Sequence, residues 1–119
     1  MTTEVQPYLI DESHGECWRL LLGDSCERLA ELEDNSVDLS IYSPPFASLY
    51  TYSPSDRDLG NSATTDEFIE HYRFILDHMF RVTKPGRTNA VHVQQVAILK
   101  SREGYVGLQD FRGRVIQAH

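Results

Sequence analysis

The chain has 119 residues, of which 40% are hydrophobic and 24% charged, and a formal net charge of −7. That length holds one compact domain, residues 1–119, near the lower end for an enzyme with its own cofactor and substrate sites, and argues against two domains. The acidic balance argues against a broad phosphate-binding surface, which normally needs clustered lysine and arginine, so any DNA contact must be local or supplied from outside the chain.

No apolar run approaches the length that crosses a bilayer, so no membrane partner is expected. The acidic start "MTTEVQPYLIDESHGE" lacks the basic and apolar regions of a signal peptide, which implies a cytoplasmic protein. Cys17 and Cys26 are too few for a disulfide framework or a zinc site, and packing is the role expected of them.

Trp18 to Leu22 is a short apolar run that stops at Gly23, and it reads as a strand. Asp24 or Ser25 then caps a helix carrying Leu29, Ala30 and Leu32. Asp34-Asn35-Ser36 supplies a turn. Val37, Leu39 and Ile41 next alternate with Asp38, Ser40 and Tyr42, the period of a strand, and Pro44 ends it because proline has no amide hydrogen to donate. Strand, helix and strand make a βαβ unit, whose two strands are expected to run parallel.

The segment 47–65 is long, polar and rich in Ser, Thr, Asp and Tyr, a composition often tied to function when no regular structure intervenes. Its Tyr-Ser-Pro triplet also occurs at 42–44, but two copies in different surroundings make no repeat. Thr64 with Glu67 forms a capping-box pattern before Phe68, Ile69, Tyr72, Ile75, Leu76, Met79 and Phe80 at helical spacing, and Lys84-Pro85-Gly86 should stop that helix. "TNAVHV" offers another strand, Val96 to Leu99 a further apolar stretch, and Asp110 a cap for a helix begun by Phe111, Val115 and Ile116. That helix runs to His119 without C-terminal signals, the pattern expected of a truncated piece. Alternating strands and helices make an α/β domain with a small sheet and exposed edges, through which the chain could self-associate.

Ser43-Pro44-Pro45-Phe46 by itself also suits an ordinary strand-ending loop with Phe46 in the core. Together, "LLLGDSCERLAEL", "NSVDLSIYSPPF" and "RVTKPGR" resemble, from Leu20 to about Gly86, the DNA methyltransferases that modify exocyclic amines. That resemblance implies a partial Rossmann-like, S-adenosylmethionine-dependent fold, an incomplete and mostly parallel sheet with flanking helices, and DNA as the partner of the full-length enzyme. It also implies methyl transfer to cytosine N4 or adenine N6. Serine in the first motif position leans towards cytosine, although adenine enzymes use it too.

The chemistry asks for these residue types. An adenine or cytosine amine is a poor nucleophile because its lone pair is delocalised into the ring; acceptors aimed at its two hydrogens turn that pair towards the methyl donor and stabilise the charge developing on nitrogen. By resemblance Ser43 Oγ is one acceptor and the Pro44 carbonyl the other, its direction fixed by the locked φ of Pro44 and Pro45. Phe46 offers a flat apolar face to a base flipped out of the duplex. Ser43, a neutral hydroxyl, is assigned hydrogen bonding and not general-base work. Asp24, at the end of a strand, falls where open α/β sheets place ligands and would sit near the cofactor's adenosine; it is equally a plain cap.

The glycine-rich turn that such enzymes need for S-adenosylmethionine is missing: none of the seven glycines forms one, and Gly104 and Gly107 in "EGYVG" lie in the wrong context. In one permuted branch of the family the catalytic motif comes first and the glycine-rich motif follows, an order that matches an N-terminal fragment, inactive or nearly so in isolation. The competing expectations are a non-catalytic interaction module using the 47–65 segment or a sheet edge, and a decayed remnant. Tyr42, Tyr50 and Tyr52 are read as surface tyrosines, His71 and His78 as solvent- or partner-facing, and Arg57 and Arg87 as surface residues.

Overall fold

A computed structural model describes residues 10–45, 64–98 and 100–119. The first two strands, β1 (Asp11–His14) and β2 (Arg19–Leu22), form an antiparallel hairpin with Asp11 opposite Leu22 and His14 opposite Arg19. Nothing in the four polar residues of β1 marks a strand. Its ladder is reinforced by side chains: across it Arg19 Nε donates to Glu12 Oε1 at 2.6 Å, and from α1 Arg28 donates to the carbonyls of Asp11 and Leu22 at 2.7 and 2.9 Å. The guanidinium of Arg19 holds the Glu12 carboxyl below its ordinary pKa.

Helix α1 (Ser25–Ala30) follows, and the turn after it places Asn35 at φ 51°, a left-handed conformation that asparagine tolerates. Strand β3 (Val37–Tyr42) comes next, then α2 (Thr65–Val82) and β4 (Thr83–Val91). The expected parallel pairing of the strands on either side of α1 is not found. Strand β2 gives its ladder to β1, and β3 instead pairs parallel with β4, so the parallel crossover unit is β3, α2, β4. Of the three strand pairs among the described residues, one is parallel, which corrects the expectation of a mostly parallel sheet while leaving the α/β class in place.

Lys84-Pro85-Gly86 lies just past the C-cap of α2, as expected of a helix stop, and the register of β3 on β4 shows how the same residues also fit inside β4. Val37 opposes Thr83, the ladder breaks, and it resumes with Leu39 opposite Thr88 through to Tyr42 opposite Val91. Pro85, which has no amide hydrogen, and Gly86, at φ 76°, lie in that irregularity, where neither disturbs the pairing. Helix α2 ends earlier, at Val82, where Thr83 Oγ1 donates to the Met79 carbonyl at 2.5 Å.

The start of α2 is as its sequence predicts: Thr64 Oγ1 accepts from the Glu67 amide at 3.1 Å. Its buried stripe is Phe68, Ile69, Tyr72, Leu76, Met79 and Val82. Phe80, expected on that stripe, is 88% exposed, because it lies about a quarter turn from the stripe's centre and Val82 takes the next inward place. Phe111 of α4 (Phe111–Ala118) meets Phe68 edge-on at 5.2 Å between ring centroids, and Val115 completes the contact; Ile116 faces outward. Tyr42, Val91 and Val96 pack against this cluster from the strands.

Between β4 and α4 lies an antiparallel pair, β5 (Val96–Ile98) and β6 (Gly107–Gln109), with α3 (Lys100–Glu103) between them. Asp110 caps α4 as expected, accepting from the Gly113 amide at 3.0 Å. Gln95 steadies the cap, donating to Asp110 Oδ1 at 2.8 Å and accepting from the Arg112 amide at 2.9 Å. Both cysteines are free thiols; Cys17 is exposed, contrary to the packing role expected of it, and burial pushes the Cys26 thiol up from its ordinary pKa. No helix among the described residues is long and apolar enough to cross a membrane.

Candidate active site

Because β3 and β4 run parallel, their C-terminal ends emerge side by side. The last ladder contact is the His92 amide donating to the Tyr42 carbonyl at 2.9 Å, which brings Ser43 beside His92. Ser43 Oγ lies 2.9 Å from the His92 carbonyl oxygen, to which it donates, and 3.2 Å from His92 Nδ1. Ser43 and His92 are both exposed, whereas Pro44 is buried and Pro45 half-buried. Two residues without amide hydrogens take the chain out of the sheet, and burial of the first fixes the peptide that joins it to the exposed Ser43. Phe46 lies outside the described residues, as do Arg57 and the 47–65 segment up to residue 63.

The strand end is anchored on the opposite face. Tyr42 OH is 2.9 Å from Tyr72 OH, which is 3.0 Å from His119 Nε2. Burial raises both phenols above the ordinary tyrosine pKa, Tyr72 strongly; the mutual hydrogen bond raises Tyr72 further and partly offsets the rise at Tyr42. Burial also lowers the His119 imidazole. Three neutral groups thus share one hydrogen-bonded row beneath β3, and the residue before Ser43 is held by it.

Asp24 sits at the end of β2, after Gly23 at φ 149°, a backbone state that favours glycine. Its Oδ1 accepts from the Cys26 amide at 2.8 Å, which makes it the N-cap of α1 and settles the choice left open between Asp24 and Ser25. The geometry does not bring Asp24 into the sheet that carries Ser43, since the strand preceding each belongs to a different ladder. Arg87, read as a surface arginine, lies 3.4 Å from Asp38, which also pairs with Lys84 at 3.0 Å.

Two residues that matter here carried no local signal. Arg81 of α2 donates to the carbonyls of Leu29 and Leu32 and to Asp34 at 2.7 to 2.8 Å, closing the end of α1 and fixing the turn that launches β3. His92 became visible only with the β3–β4 register, which makes it the residue opposite Ser43. Ser43 Oγ, which donates to the His92 carbonyl, keeps the capacity to accept a hydrogen bond. The described residues do not make a holding set for S-adenosylmethionine: no glycine-rich turn is present in the sequence, and the Asp24 oxygen nearest the helix is engaged by the backbone.

No protein-family model matches the sequence, and no curated protein matches it. Solved structures do. The chain is similar to TTHA0409 of Thermus thermophilus, a candidate DNA modification methylase, in its complex with S-adenosyl-L-methionine, with a TM-score of 0.64 at 24% identity. The selenomethionine derivative of the same protein gives 0.57 at 24%, and a further crystal structure of it 0.55 at 23%. The match to the complex covers 82% of this chain and 36% of that one, so the chain spans about a third of the protein whose fold it shares. At this level of identity the likeness is one of fold: the chain shares its α/β arrangement with part of that protein.

Proposed function

We propose that this chain is the catalytic-motif part of a DNA amino-methyltransferase of permuted order, acting on the exocyclic amine of cytosine (N4) or adenine (N6). The observation that carries the reading is the Ser43-Pro44 turn at the carboxyl end of β3, in a fold shared with a candidate DNA modification methylase. Open α/β sheets bind ligands at that end of their strands. In this reading Ser43 Oγ and the Pro44 carbonyl accept the two amine hydrogens, Pro44 and Pro45 keep the carbonyl aimed, and Phe46 stacks on the extruded base. The methyl donor is S-adenosylmethionine, held mainly by residues outside this chain, with Asp24 at the margin of its site. The protein works on DNA in the cytoplasm, and the isolated chain is inactive or nearly so.

The test is transfer of a radiolabelled methyl group from S-adenosylmethionine to unmethylated DNA, by the chain alone and by the longest product of the reading frame that encodes it. Methylation by the longer product that Ser43→Ala abolishes with the fold intact supports the proposal. Efficient methylation by the chain alone removes the fragment reading. Methylation indifferent to Ser43→Ala and Phe46→Ala removes the catalytic reading and favours an interaction module.

A further inference from the structure

Ser43 has one proton and, beside it, two groups of the same residue. The His92 carbonyl can only accept, and at 2.9 Å two oxygens without a proton between them would oppose lone pair to lone pair, so the Ser43 proton lies on the His92 side. That leaves Nδ1, at 3.2 Å from Oγ, facing an oxygen whose proton is already committed. The ring satisfies that geometry by carrying its own proton on Nδ1 and donating it to Ser43.

We infer that His92 is a positioning residue for Ser43: its carbonyl takes the serine proton and its Nδ1–H takes one serine lone pair, leaving Oγ a single outward lone pair for a substrate N–H. Resting on the methyltransferase reading, the clamp deepens it by naming what makes Ser43 an acceptor and not a donor towards the substrate. A hydroxyl free to rotate could donate to a keto oxygen as readily as it accepts from an amine. Held this way it meets a keto oxygen with a lone pair, so the same site favours bases that bear an amine over those with a carbonyl in that place. The two residues come from strands far apart in the chain, and the parallel register puts the His92 ring and carbonyl on the same hydroxyl.

The test is long-range proton–nitrogen NMR of the histidine-labelled chain at about pH 8, above the ordinary imidazole range, with the His92 signals assigned by His92→Asn. The expected result is a His92 ring protonated at Nδ1, its Nδ1 signal moved by Ser43→Ala and retained in Ser43→Thr, which keeps the hydroxyl. A ring protonated at Nε2 with a bare Nδ1, or an Nδ1 signal unmoved by Ser43→Ala, overturns the inference. In an active longer product, His92→Leu should lower kcat about 10- to 100-fold with KM little changed, the scale of a misplaced reacting group. His92→Asn, whose side-chain amide stands in for Nδ1–H, should restore most of it; equal loss in both variants counts against the clamp. An Nδ1–H ring in a protein that never methylates DNA leaves the clamp and removes the function, whereas Ser43-dependent methylation with an Nε2–H ring does the reverse.

Discussion

Arg81 ties the end of α1 to the turn that launches β3. Its guanidinium reaches two carbonyls at the end of α1 and the Asp34 carboxylate, while its own carbonyl accepts from the Asn35 amide at 3.0 Å. Arg81→Ala leaves two backbone acceptors without that donor and should cost about 2 kcal/mol, read as a lower urea midpoint; Arg81→Lys, which cannot span the fork, should recover less than half. His119 makes a pH-dependent contribution. Burial depresses its pKa below the ordinary 6.5, so the unfolded chain binds a proton more readily than the folded one. Its contribution is therefore complete above about pH 7 and declines as the pH falls through 6.5 towards the depressed folded value. A melting-temperature series from pH 8 to about pH 5 should show a steeper acid loss for the native chain than for His119→Gln, which keeps a hydrogen-bonding group and does not titrate; parallel curves would rule this out.

At the scale of elements, the α2–α4 contact is the core. Phe68 and Phe111 are fully buried and meet edge-on, so Phe111→Ala opens a cavity and should cost about 3–5 kcal/mol. Ile116, on the outer side of the same helix, should tolerate alanine within about 0.5 kcal/mol, and chemical denaturation of the two variants side by side checks both. Much of this level was legible. The Thr64 cap, the inward stripe of α2, the turn at Asn35 and the Asp110 cap each depend on residues within four positions of one another, where side-chain chemistry and helical spacing suffice. Elements whose partners are remote were not. β1 has no apolar period and exists through its ladder with β2 and the reach of Arg28; β6 has only three residues; and Lys84-Pro85-Gly86 marks the end of α2 without showing that the same residues belong to β4.

For the molecule as a whole, half of the expected layering is present. Tyr42 and Val91 turn one face of the β3–β4 pair into the α2 and α4 core, while Ile41, 76% exposed, and Leu39 face away from it. An apolar strand face and open edges favour association between copies. Sedimentation velocity over a range of concentrations should therefore show the chain associating as concentration rises, and Ile41→Lys should hold it monomeric; a concentration-independent monomer would show that this face is tolerated bare. The candidate site divides along the same line. Local sequence determined that a strand ends at Ser43 and that two prolines carry the chain out of the sheet, because proline's missing amide hydrogen and fixed φ act on the residue itself. Only the tertiary structure decided that β3 pairs with β4 and not with β2, and that His92 meets Ser43, because strand register is set by backbone hydrogen bonds across a crossover whose intervening residues carry no record of it.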